Sequence, residues 1–496
     1  MADLNQLRKE IENFNREMNL ENYLHFSGQK DKLEIASIYN KYSFLFTRDL
    51  ALELQDSAGK YIQTGDENLN NIFGFVLFGW IGEKLKSQNE ELANLQAKMK
   101  ISFDGEEESY RNVPVKIMNT DNSEKRKGWY MGLVDADIEL TEKFHKPMWE
   151  KIWEMTSDMG FRSYLDTCGQ IHEVDYLSLS KIMNDFIAKT EELYVDVFDD
   201  YAKELAGKPL NECGYWDASY LLRGKSNDKV FSAENLIPVL RKFVSDFGFP
   251  LDDVPAIILD IEKRPKKVSR AFCAVVEIGK EVYINLQPVG GHKDYTTLLH
   301  EAGHAYHYAF ANPDLKVDLS RLGDRAVSEG FAFLFNYLPE NPQWCKRYLK
   351  ADDVSDLVYS ELRQKLFFMR RYGAKLAYEV ELHKDNSLDG KAEIYKENLQ
   401  NAVKFETVAN NYLVDLDTGF YSADYLRAWI WEVQLRNYLM EKYGPMWFTD
   451  KRAGEEVCEM WKLGKKYPIE ELARRIGYDG IDIEPLKNSL VNGLAR

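Results

Sequence analysis

Apolar residues recur at helical spacing along most of the chain, and one zone breaks that rhythm. Leu7, Ile11 and Phe14 fall on one helix face, as do Leu236, Leu240, Phe243 and Phe247 much further on. Such stripes can be buried only by packing helix against helix, so a mostly α fold is expected. The break runs from Ser269 to Gln287, SRAFCAVVEIGKEVYINLQ, where β-branched and aromatic residues flank Gly279-Lys280. It predicts a two-strand hairpin in an otherwise helical protein. Gly290-Gly291 then predicts a turn and Asp294 an N-cap. The helix that follows should run from about Tyr295 to Phe310, stopping before Asn312-Pro313.

No repeat, low-complexity tract or flexible linker divides the 496 residues. A boundary near 260 is expected, with residues 1–260 as a helical lobe and 261–496 as the lobe carrying the chemistry. The chain holds 81 acidic against 64 basic side chains, a formal net charge of −17. That charge repels phosphate backbones and anionic lipid, so neither nucleic acid nor membrane is an expected partner. The longest apolar stretch, Ile72 to Ile81, is too short to span a bilayer and reads as a buried helix. The opening MADLNQLRKEIENFNREM lacks the apolar core of a secretory signal, and five scattered cysteines show no CxxC pairing. A reducing compartment, the cytoplasm, is the expected location, and a thiolate metal site is not expected.

The chemistry lies on the helix after the hairpin, which carries His300-Glu301-Ala302-Gly303-His304. Two histidines four apart share one helix face, so both imidazoles can reach one cation. Glu301 is rotated about a quarter turn away and can stand beside an attacking water rather than on the metal. Four of the eight histidines, His292, His300, His304 and His307, lie within this short stretch. Three protein ligands are usual at a catalytic zinc, so a third is needed. The position of a metzincin third histidine is Phe310, and His307 reads as packing or as a support to the ligands. Asp324 and Glu329 remain. Asp324, in RLGDR, fits better as an N-cap. Glu329 lies beside the apolar face of Ala326, Val327, Leu334 and Leu338, with Gly330 next to it to let two helices approach. His300, His304 and Glu329 are thus the expected ligands of one zinc per chain, with Glu301 as general base.

DYTTLLHEAGHAYHYAFA resembles the metal helix of the zinc oligopeptidases, the family of thimet oligopeptidase and oligoendopeptidase F, including His307 in its HxxH extension. Glu329 falls at the family's spacing for its third ligand. The hairpin ending in YINLQ is similar to the strand pair these enzymes lay along a bound peptide. GFYSADYLRAWIWEV resembles the family's tyrosine-rich segment, placing Tyr421 and Tyr425 on family tyrosines, while Leu416 and Ala428 depart from it. The likeness covers roughly residues 266–490 and is faint before them. It implies a large helical fold with a deep cleft, a small sheet beside the zinc helix, and short peptides as substrates. It also implies an oxyanion-stabilising role for Tyr421 or Tyr425.

Peptide-bond hydrolysis by metal-activated water is the function these residues point to. Two rivals stand beside it. One is a zinc-containing peptide-binding protein with little turnover. The other is a carboxypeptidase, which needs a cation to grip a terminal carboxylate, supplied by Arg270, Arg370, Arg371 or Arg427.

Overall fold

The computed structural model describes residues 3–61, 68–268, 270–351 and 353–495. Ser269, which opens the predicted hairpin segment, lies outside them. The fold is large and mostly helical, with two small sheets, as the apolar spacing requires. Leu7, Ile11 and Phe14 are buried on α1 (Leu4–Phe26), and Leu236, Leu240 and Phe243 on a helix at Leu236–Asp246. Ile72 to Ile81 falls within α2 (Leu69–Lys98), where Ile72, Val76 and Leu77 are fully enclosed. Among the described residues no helix is long and apolar enough to cross a membrane. Among the described residues no disulfide joins any of the five cysteines.

The chain forms two compact units, each assembled from three segments. One contains Met1–Trp80, Lys225–Glu361 and Arg427–Leu486; the other contains Ile81–Gly224, Leu362–Leu426 and Lys487–Arg496. A single cut near 260 therefore does not separate them. The reason is covalent: the chain passes between the units five times, and four of these passages lie inside continuous helices, where the apolar rhythm shows no interruption. Those four fall in α2 and in helices at Ser355–His383, Tyr421–Tyr443 and Glu484–Leu494; the fifth, from Gly224 to Lys225, lies outside any α-helix.

The second unit holds a hairpin that the helical reading overlooked. Strands β1 (Lys100–Phe103) and β2 (Glu106–Ser109) pair antiparallel, with Phe103 opposite Glu106. Asp104 and Gly105 make the turn, both at positive φ (53° and 78°). Asp-Gly is a strong hairpin signal, but the glutamates of β2 hide any apolar alternation. Ile101 packs into a core with Trp129, Tyr130, Val134 and Trp216.

In the first unit the predicted hairpin exists but is part of something larger. Strands β4 (Phe272–Glu277) and β5 (Glu281–Asn285) pair antiparallel, and β3 (Ile257–Asp260) adds to β5 in parallel, giving the order β3-β5-β4. Val282 and Ile284 of β5 are fully buried. α1 packs on the sheet, Tyr23 stacking on Tyr283 at 3.7 Å. The connection from β3 to β4 is pinned. Lys267, buried, donates to Asp260 at 2.9 Å, Arg264 and the Tyr23 hydroxyl also reach that carboxylate, and the Val268 N–H donates to Phe26. The segment that leads into β4 is therefore held from both sides.

Candidate metal centre

Gly290 and Gly291, at φ 88° and 91°, turn the chain from the sheet into α3 (His292–Phe310). The N-cap is Gly291, not Asp294 as predicted. Asp294 sits inside the first turn, and its carboxylate accepts the Val289 and Gly290 N–H groups at 2.7 and 2.8 Å. It locks the turn instead of ending the helix. The far end stops at Phe310, as the Asn312-Pro313 pair requires.

α3 packs closely on α4 (Arg325–Asn336). Gly303, not Gly330, permits the approach: a Cβ on Gly303 would stand 2.6 Å from the Ala332 Cα and 2.7 Å from the Phe331 carbonyl oxygen. Gly330 instead makes room for the Trp431 ring. Tyr306 and Phe310 of α3 and Phe331 and Phe335 of α4 all meet Trp461, with ring centroids between 5.8 and 6.3 Å, so apolar burial holds the crossing together. Gly303→Ala tests this arrangement. Alanine ordinarily favours a helix interior over glycine by about 1 kcal/mol, yet here its methyl meets backbone that cannot rotate aside. A net loss of roughly 1–3 kcal/mol is expected, read as a lower melting temperature.

Across the crossing the donor atoms of His300, His304 and Glu329 all lie within 4.8 Å of one another. The two Nε2 atoms are 3.2 Å apart, and Glu329 Oε2 stands 3.4 Å from His300 Nε2 and 3.6 Å from His304 Nε2. His304 Nδ1 is 2.8 Å from the Ser328 hydroxyl. With its proton on Nδ1, His304 donates to Ser328 and turns the Nε2 lone pair to the cluster, as a metal-bound histidine requires. Burial pushes the His304 pKa down to about 4, so the imidazole is neutral. Burial also disfavours the charged form of His300, but hydrogen bonding and charge attraction to Glu329 outweigh it and leave its pKa raised. Two imidazole nitrogens and one carboxylate, converging and largely desolvated, fit a zinc ion with a coordination position left open.

Glu301 does not join the three donors. Burial pushes its carboxyl up to about 7; His300 opposes this, Glu329 adds to it, and the Cys273 backbone N–H donates to the carboxylate. The contact with Cys273 places the start of β4 beside the base. Further along β4, the Val275 carbonyl accepts from Asn19 (3.1 Å) and Arg321 (2.9 Å). That stretch of the edge is already occupied.

Asp324 is an N-cap, as read from the sequence. It accepts the Ala326 N–H and grips Arg427 through both oxygens at 3.0 and 2.7 Å, apart from the three-donor cluster. His307 is buried, and its Nε2 lies 3.2 Å from the Gly464 carbonyl, tying α3 to a neighbouring turn. Ser328 went unnoticed in the sequence, although its place next to Glu329 was the available signal.

Tyr421 and Tyr425 lie in the first turns of α6 (Tyr421–Tyr443), which follows α5 (Ser355–His383) along the chain. Their rings meet edge to face at 4.9 Å, and Tyr425 packs likewise on Tyr372 at 5.7 Å. The approach to α6 is bent: Gly419 and Phe420 take φ of 68° and 56°, a conformation that is strained for phenylalanine. Phe420 is kept there by stacking on Tyr176 at 4.3 Å, while the Gly419 N–H donates to the Tyr164 hydroxyl. Tyr421 is thus presented from a braced turn in the second unit.

No family model and no curated protein matches this chain by sequence. Among solved structures, one described as a "putative oligoendopeptidase F from Bacillus anthracis str. Ames" is similar, with a TM-score of 0.59 and 13% identity. The match covers 96% of this chain and 81% of that one. At that identity the likeness establishes the fold, a large helical fold of the oligoendopeptidase type.

Proposed function

We propose that this chain is a zinc metallopeptidase that hydrolyses short peptides. The observation that carries the reading is the convergence of His300, His304 and Glu329 beside a desolvated Glu301. When bound by these three residues, zinc supplies a Lewis acid for the scissile carbonyl and acidifies the attacking water. Glu301 takes the proton from that water and returns it to the leaving amine. Burial that raises this carboxyl, set against a zinc charge that lowers it, suits both transfers near neutral pH. Ser328 keeps the His304 proton on Nδ1, leaving Nε2 to ligate. The Glu301 end of β4 receives substrate backbone, which favours broad sequence tolerance.

A mixed peptide library incubated with and without chelator, with fragments read by mass spectrometry, tests the proposal. Cleavage that chelator abolishes and zinc restores is expected. A peptide-binding protein without turnover would give no fragments in either arm. The base is what disfavours that reading, because a purely structural metal has no need of Glu301.

The phenol that stabilises the oxyanion is assigned to Tyr421, with Tyr425 as the alternative. Tyr421→Phe is expected to lower kcat about ten- to a thousandfold, with KM and zinc content little changed. If Tyr425→Phe shows that profile and Tyr421→Phe does not, the role passes to Tyr425. The cytoplasm remains the proposed location.

A further inference from the structure

One face of α5 holds the segment that leads into α6, and all the residues concerned belong to the second unit. Arg371 donates to both oxygens of Asp415 at 2.8 Å, and Lys375 reaches Asp417 at 2.8 Å. Glu379 accepts the Asp417 N–H at 2.9 Å. Their spacing of four places these side chains one above the next. Glu379 does more than the other two. It is fully buried, and its second oxygen accepts from the Ser422 hydroxyl, which is buried as well. One carboxylate thus joins residue 417, before the Gly419-Phe420 bend, to residue 422, after it.

The bend needs such a tie. Phe420 at φ 56° lies in the left-handed region, and a phenylalanine stays there only while its surroundings over-determine it. α5 supplies one wall through His383, one turn beyond Glu379, whose ring meets the Phe420 ring at 5.5 Å. His383 is itself fixed: Trp153 Nε1–H donates to its Nδ1 at 3.2 Å, and Trp149 packs on it at 4.6 Å. These contacts hold the Phe420 ring. The backbone is held by Tyr164, which accepts from Gly419, and by Glu379, which spans the bend. Tyr421 stands between Phe420 and Ser422, so the direction of its side chain follows from the same bridge. Neutralising cations is not what Glu379 is needed for. Arg371 is already paired with Asp415, and Lys375 with Asp417 and, at 3.4 Å, with Asp415.

We infer that Glu379 is a positioning residue for Tyr421: it ties Asp417 to Ser422 across the Gly419-Phe420 bend and so fixes where the Tyr421 phenol points. The inference rests on the role proposed for Tyr421 for its catalytic meaning, while the positioning itself is measured without turnover. The bridge requires an acceptor for the Asp417 N–H and a partner for the Ser422 hydroxyl, not a charge. Glutamine meets both requirements, because its carbonyl oxygen accepts the N–H and its NH2 donates to the hydroxyl oxygen. Alanine meets neither.

Fluorine NMR of the full chain with Tyr421 replaced by fluorotyrosine tests the positioning. Relative to the otherwise unaltered chain, the resonance is expected to keep its position and width in Glu379→Gln. In Glu379→Ala it should shift, or broaden at least about twofold. The same label at Tyr220, whose hydroxyl faces Asp121, should be unchanged in both variants and so verifies that the unit is folded. Turnover is read in parallel. Glu379→Ala should lower kcat about tenfold or more with KM little changed, and Glu379→Gln should restore most of it. Combined with Tyr421→Phe, Glu379→Ala should cost less than about twofold further, because the group it positions is gone. An undisturbed resonance in Glu379→Ala overturns the inference. So does a Glu379→Gln variant as disturbed as Glu379→Ala, which would make the charge and not the bridge the active feature. Losses that multiply in the double variant overturn it too. A disturbed resonance with full turnover in both Tyr421→Phe and Glu379→Ala sinks the oxyanion role of Tyr421 and leaves its positioning by Glu379 standing.

Discussion

Glu301→Gln is expected to lower peptide turnover by about two to four orders of magnitude while leaving one zinc per chain. The amide preserves the shape of the side chain but cannot accept a proton. Because Glu301 stands outside the three-donor cluster, its loss removes no ligand. Turnover on a quenched peptide and elemental analysis of the same preparation check the two halves together. A variant that turns over at a similar rate would end the assigned role. The pH profile carries the same information. Burial raises the Glu301 pKa to about 7, so the proton-accepting form is lost as pH falls through that value. A bound zinc ion, being positive, lowers it. The acid limb of the rate profile should therefore fall at or below pH 7, and Glu301→Gln should remove that limb from whatever activity remains.

Glu329→Ala is expected to reduce zinc from about one per chain to near zero under dialysis that leaves the wild type loaded. Two histidines on one helix face then remain, too few to hold the ion against water. Thermal unfolding provides a second readout. Zinc binds the folded state, so chelator should lower the melting temperature of the wild type and leave that of Glu329→Ala unmoved. Asp324→Asn is the contrasting variant. It weakens the grip on Arg427, whose side chain is 2% exposed, and should cost roughly 1–3 kcal/mol. Its zinc content should stay at one. If Asp324→Asn loses zinc and Glu329→Ala keeps it, the third ligand has been misplaced.

What the sequence determined by itself is local in origin. Helical spacing of Leu7, Ile11 and Phe14 follows from 3.6 residues per turn, and the four-residue spacing of His300 and His304 places both imidazoles on one face wherever the helix goes. The stop at Phe310 and the N-cap at Asp324 are likewise properties of a few consecutive residues. The β1–β2 hairpin was equally local and signalled by Asp104-Gly105, but short charged strands concealed it. Tertiary structure decided everything that depends on partners distant in sequence. The sequence does not say that β3 pairs with β5, because four residues with a non-local partner leave no periodicity. It does not say that Gly303 is the contact point of the two helices, because close approach depends on what lies opposite, here Ala332 and Phe331. Nor does it show which arginine is left free: the isolated letters of Arg270, Arg370, Arg371 and Arg427 are the same. Only the folded chain supplies Glu191, Asp415, Asp324 and Glu470 to three of them and, among the described residues, no ion-pair partner to the fourth.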